Sequence, residues 1–125
     1  MAGLPTPHAG VLAPLSPEAA LAVLRHIMNV WELDWFDVTS LVGSTNSDIA
    51  TIEWTGDRLL RAAYLIELEQ ALLELNPKTG IARWITTPNQ GPFFAGNSPL
   101  QVLSGGTREM EGLLRQIRRW TNGKP

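Results

Sequence analysis

Between Leu59 and Leu75, twelve of seventeen residues are apolar. Helical spacing over this stretch predicts one long helix, 57–75, opened by Asp57 as its N-cap. The polar residues Glu67, Gln70 and Glu74 recur at i, i+3 and i+7 and are predicted to form one narrow surface stripe. A helix that is apolar on nearly every side must be covered on nearly every side, by its own domain or by a second copy. A chain of 125 residues has little else to cover both flanks. The expectation is therefore a homodimer that buries part of this helix.

Further helices are predicted around it, giving an all-α fold with no strand-like alternation. Residues 1–15 are rich in Pro, Ala and Gly and read as a flexible arm. Residues 16–56 read as a helix-turn-helix-like unit of three helices. Ser16-Pro17-Glu18 opens the first as cap, helical proline and first-turn acid. Asp34 caps the second, through Val42, and Gly43 stops it. Thr45 with Asp48 opens the third, running to about Trp54 with Ile49 and Ile52 facing a core. Residues 57–125 form the second unit. After the long helix, Asn76-Pro77 is predicted to start a helix carrying Ile81, Trp84 and Ile85. A Pro/Gly loop follows over 87–97. Ser98-Pro99 opens a short helix, Gly105-Gly106 breaks it, and Thr107 caps the last, with Met110, Leu113, Leu114 and Ile117 on one face.

Catalytic chemistry finds little support. The chain has no cysteine, so disulfides, thiolate metal sites and cysteine catalysis are excluded. The two histidines, His8 in the arm and His26 on the first helix, have no ligand partner at i+3 or i+4. His26 reads as a solvated or capping side chain. The glycines do not follow a strand and match no phosphate-cradling motif. The reading is a protein that is not an enzyme, with no catalytic residue, metal or cofactor. The first fifteen residues lack a basic n-region, and no apolar run approaches membrane-spanning length. Together with the lack of cysteine this gives a cytoplasmic, non-membrane expectation.

Charge is unevenly spread. Residues 1–56 hold one arginine against six acids, a net −5, whereas 107–125 hold five basic residues against two acids, a net +3. In a helix-turn-helix the second helix of the pair enters the major groove. Here that helix, 45–54, would offer Asn46, Ser47 and Thr51 to DNA, but it carries two acids and no Lys or Arg. Phosphate neutralisation supplies most non-specific affinity, so free protein is expected to bind DNA weakly at most. A DNA-binding regulator and an orphan interaction domain remain the competing readings.

Protein binding is better served. Trp84, Phe93, Phe94, Trp120 and five arginines across the last 45 residues are types that interface centres favour. Trp84, spaced with Ile81 and Ile85, is expected in the core. Phe93 and Phe94 are expected to be exposed in a loop fixed by Pro88-Asn89 and Ser98-Pro99. Arg115, Arg118 and Arg119 concentrate positive charge on the last helix.

The order Trp84, Pro88-Asn89, Phe94, Gly96-Asn97-Ser98-Pro99-Leu100, then Val102-Leu103 and a glycine resembles the toxin-binding domain of the MbcA/ParS/Xre antitoxins. The similarity covers about residues 58–122, and the helix-turn-helix-like unit before it occupies that family's usual place. The resemblance implies a helical, dimerising antitoxin whose C-terminal region docks onto a RES-domain toxin that consumes NAD and blocks its active site. It also implies repression of its own promoter. The family commonly ends in a Gly-x-Phe-type tail that enters the toxin cleft. This chain ends Arg119-Trp120-Thr121-Asn122-Gly123-Lys124-Pro125, which makes Trp120 the nearest substitute for the plug. The partner-binding set is thus Pro88, Asn89, Phe93, Phe94, Ser98, Pro99, Arg115, Arg118, Arg119 and Trp120.

Overall fold

The computed structural model describes residues 12–45, 48 and 51–122. Among these residues it contains six α-helices and no strand: α1 (Pro17–Val30), α2 (Trp35–Leu41), α3 (Gly56–Leu75), α4 (Ile81–Thr86), α5 (Pro99–Leu103) and α6 (Thr107–Asn122). None of the helices is long and apolar enough to cross a membrane.

Local chemistry sets most boundaries. The Ser16 hydroxyl accepts the Ala19 N–H at 3.2 Å, and Pro17 follows it into α1. Glu32 takes a left-handed φ of 55° and Leu33 donates back to the Met28 carbonyl, closing the helix with a Schellman-type turn. The Asp34 carboxylate accepts the Asp37 N–H at 2.8 Å to start α2. Gly43, at φ 78°, ends that segment, and a Cβ there would come within 2.7 Å of the Arg61 guanidinium. The expected arm ends sooner than residue 15: Leu15 packs on the core and its N–H reaches the Leu59 carbonyl.

Three sequence expectations are corrected. The helix expected over 45–54 is not seen among its described residues: Thr45, Asp48 and 52–54 are non-helical, and Thr51 is 3₁₀. Ile52 is nonetheless buried and Trp54 packs against the core. Thr55, not Asp57, caps α3 by accepting the Arg58 N–H at 3.2 Å, while Asp57 pairs with Arg61 at 2.9 Å. The helix expected from Asn76 begins only at Ile81, because Asn76 itself is left-handed (φ 51°) and terminates α3.

α3 packs against α6 on one side and α1 on the other. Leu65, Ile66, Leu68 and Leu72 share a core with Val23, Leu24 and Ile27 of α1 and Met110, Leu113, Leu114 and Ile117 of α6. One chain therefore covers the helix whose apolar girth argued for a second copy. Leu73 is its one large apolar side chain left exposed among the described residues.

The expected polar stripe is a surface feature at Gln70 and Glu74, which are exposed, but not at Glu67. Glu67 is 2% exposed and Glu69 5% exposed. Two residues apart on a helix, they point to nearly opposite sides. Arg118 of α6 donates from Nη2 to Glu67 at 2.9 Å. His26 of α1 sets Nε2 astride both Glu69 oxygens, 2.7 Å from Oε1 and 2.5 Å from Oε2. His26 is thus the hydrogen-bond partner of a buried carboxyl group rather than a solvated side chain. Nearby, the Tyr64 hydroxyl of α3 faces Glu111 of α6 at 3.4 Å. Burial, then the Glu111 charge, pushes its pKa up from the ordinary tyrosine value.

Removing one member of a buried pair strands the other, whereas replacing both with apolar residues removes the unpaired charge. His26→Ala should destabilise the protein by about 2–4 kcal/mol, less than for a fully buried pair because His26 is part exposed. The double replacement His26→Leu with Glu69→Leu should recover most of that loss. Urea unfolding of the three proteins checks both statements.

Candidate functional site

The loop between α4 and α5 is built by its own polar groups. The Asn89 N–H donates to the Asn97 carbonyl at 3.0 Å and the Asn89 carbonyl accepts from Gly96 at 2.9 Å, so the ends of the loop are stitched together. The Asn89 side chain accepts the Gly91 N–H at 2.7 Å. Gly91 in turn accepts from Phe94 and Ala95. Ser98 then opens α5 with a reciprocal capping box: its hydroxyl accepts the Gln101 N–H, and the Gln101 side chain accepts the Ser98 N–H. Pro99 follows as the first helical residue.

These turns place the aromatic residues. Phe94, expected at the surface, is 2% exposed and sits in the core. Its ring meets Trp84 edge-on at 6.0 Å and Phe93 edge-on at 5.2 Å, and lies tilted against Trp120 at 6.2 Å. Phe93 and Trp120 are each 36% exposed. A Cβ on Gly112 would lie 3.6 Å from the Phe93 ring, so that ring rests against the α6 backbone. Phe93, Phe94, Trp120, Asn89 and Gln116 line a hollow of about 250 Å³. Ser98 and Pro99 are buried, and Pro88 is exposed. The proposed partner residues thus divide. Asn89, Ser98 and Pro99 shape the loop, Phe94 forms the floor of the hollow, and Phe93 and Trp120 form walls that reach solvent.

The arginines also divide. Arg118 is held by buried Glu67, and Arg115 pairs with Glu111 at 2.6 Å. Arg119 forms no ion pair among the described residues. The continuous positive row expected on α6 is therefore partly neutralised from within.

For DNA, Asn46 and Ser47 lie outside the described residues, as does His8. Thr51 is exposed, and its hydroxyl donates to the Asp48 carbonyl rather than projecting from a groove-reading helix. The preceding element is acidic: burial, then the adjacent Asp34 charge, raises the Asp37 carboxyl above its ordinary value. Among the described residues no group of three or more His, Cys, Asp or Glu side chains could hold a metal ion.

A larger concavity, about 640 Å³, lies between the end of α1 and α4, with Trp31, Leu73 and Ile81 among its lining. Its lining includes Glu69, whose Oε1 is hydrogen-bonded to His26, and the buried Trp31 Nε1–H, which has no hydrogen-bond partner among the described residues, whereas the aromatic hollow has solvent-reaching apolar walls. The aromatic hollow is the better candidate for recognition. Sequence reasoning missed Gln116 and Gly112. The i, i+4, i+8 row of Gly112, Gln116 and Trp120 on α6, flanking the apolar face, was the signal that could have found them.

No family model matches the chain, and no curated protein or solved structure matches it.

The burial difference separates Phe94 from its neighbour experimentally. Phe94→Ala should cost about 3–5 kcal/mol of folding stability by opening a cavity. Phe93→Ala should cost less, about 1–2 kcal/mol, because Phe93 is already 36% exposed whereas Phe94 is fully packed. Thermal and urea unfolding of the two variants check this ordering.

Proposed function

We propose that this chain is the antitoxin-type partner of a separate toxin: a helical binding protein, not itself an enzyme, that neutralises a RES-type NAD-consuming toxin. The observation that carries the reading is the solvent-reaching aromatic surface of Phe93 and Trp120, held in place by a hydrogen-bonded loop and the last helix. A surface already ordered before docking loses little conformational freedom on binding. The residues behind the antitoxin resemblance, Trp84, Asn89, Phe94, Ser98 and Pro99, are the ones that build this surface from beneath. The docking face in this reading is the 88–99 loop with α6. The acidic first half stays clear of it, and the same acidity gives the free protein little affinity for duplex DNA at physiological salt.

Co-expression with the product of the adjacent reading frame, followed by pull-down, tests the reading. A RES-type protein should co-purify and lose its NAD-consuming activity in the complex. Phe93→Ala should weaken the complex by about 2 kcal/mol if this ring is a hot spot. Retention of the complex through changes in α1 but not in α6 fits the assignment. Full binding by a chain lacking 120–125 and carrying Phe93→Ala, with loss only on changes in α1, contradicts it.

A further inference from the structure

The sequence suggested Trp120 as a plug that enters a cleft on the partner. The geometry points the other way. Trp120 is only 36% exposed and its ring lies against Phe94. It is a wall, and what it walls is concave. We propose that the hollow between the loop and α6 is a receptor for one large apolar side chain, presented by an acidic segment of the partner protein. This inference rests on the reading above that a protein docks on this face; it adds which molecule inserts and what chemistry the inserted segment carries.

Size is the first argument. About 250 Å³ falls below the roughly 300–1,000 Å³ of small-molecule sites, and suits a single aromatic or branched aliphatic side chain. Shape is the second. Phe94 makes a buried floor, and Phe93 and Trp120 stand beside it in fixed edge-on and tilted contacts. The hollow exists before any partner arrives, so an entering ring or aliphatic group gains apolar contact without ordering these walls. Polarity is the third. Asn89 spends its main chain and its side-chain oxygen within the loop, which leaves its side-chain NH2 as the donor on that rim. Gln116 brings a side-chain amide, donor and acceptor together, to the opposite rim, where the main chain beside an inserted side chain would lie.

Charge chooses the neighbours of the inserted residue. Arg115 and Arg119 immediately precede Gln116 and Trp120 on α6, one turn apart and both exposed. Arg119 has no carboxylate partner among the described residues, and Arg115 is held only by an exposed i, i+4 pair that a competing acid can replace. The opposite end of the chain carries the net −5 of residues 1–56. An acidic segment is thus attracted to the α6 rim and repelled by the front, which sets the docking direction as well as the encounter rate.

Gln116→Trp tests the hollow directly, because it places a large ring in the hollow from a partly buried helix position on its wall. Its circular dichroism and melting temperature should match the wild type. Binding of the co-purified partner should fall by roughly 30-fold or more, the size expected when a central anchor loses its pocket. Reversal of the rim, Arg115→Glu with Arg119→Glu, should weaken binding at low salt and matter less at high salt. Undiminished binding by Gln116→Trp overturns the inference while leaving the antitoxin reading standing. If no partner binds the wild type, the antitoxin reading falls, and the hollow is decided by a probe. The capped peptide Asp-Glu-Phe-Glu-Asp, titrated into the wild-type protein, should shift the Trp120 indole and Gln116 amide signals saturably. The Lys-Lys-Phe-Lys-Lys peptide should not. An unmoved indole with the acidic peptide, or equal shifts with both, overturns the proposal. So does a wild-type homodimer that Gln116→Trp dissociates, since the guest would then be a second copy.

Discussion

Two buried carboxylates on one helix, Glu67 and Glu69, fix how the rest of this molecule is assembled. Burial of apolar surface drives α3 into the centre, but that force is non-directional and would tolerate some rotation of a helix apolar on so many sides. The carboxylates remove that tolerance. Glu67 must reach Arg118 on α6 and Glu69 must reach His26 on α1, on opposite flanks. Any rotation of α3 that kept the apolar packing would bury at least one charge without its partner, at a cost of several kcal/mol. The pairs therefore supply register to a core that apolar contact alone leaves loosely specified.

Register at α3 carries through to the candidate site. With Met110, Leu113, Leu114 and Ile117 facing α3, the helical repeat turns Gly112, Gln116 and Trp120 toward the 89–97 loop. The loop meets that row with Phe93 against Gly112 and Phe94 against Trp120. Phe94 also touches Trp84 of α4, so three separate segments converge on one ring. The recognition surface is thus an extension of the core rather than a decoration on a mobile loop, which is what allows a small hollow to persist without a guest.

Much of this was legible in the sequence, and the failures have a common cause. Local signals read well: Ser16-Pro17, Asp34 and Ser98-Pro99 cap helices as their chemistry requires, and the long apolar run is one helix. The stretch before α3 failed because Ile52 and Trp54 were counted at helical spacing, whereas 52–55 are non-helical and still bring both side chains to the core. Glu67 was read as a surface residue and Glu69 went unread, for a different reason. Their partners lie 51 and 43 residues away, and no local pattern announces a cation that arrives from another helix. Phe94 failed in the same way: a loop has no periodicity, so nothing nearby distinguishes the buried ring from the exposed one beside it. The loop-shaping roles of Asn89 and Ser98 were visible as turn chemistry, but the hollow they help form exists only once α6 is placed.

In the proposed reading the partner meets the 88–99 loop and α6, and α1 and α2 take no part in the contact. Amide hydrogen exchange, comparing the protein alone with its complex with the co-purified partner, tests that arrangement most directly. The expected result is new protection confined to 88–97 and 112–122, with α1 and α2 unchanged. Protection confined to α1, α2 and the 44–55 segment, with the loop and α6 exchanging as in the free protein, would contradict it.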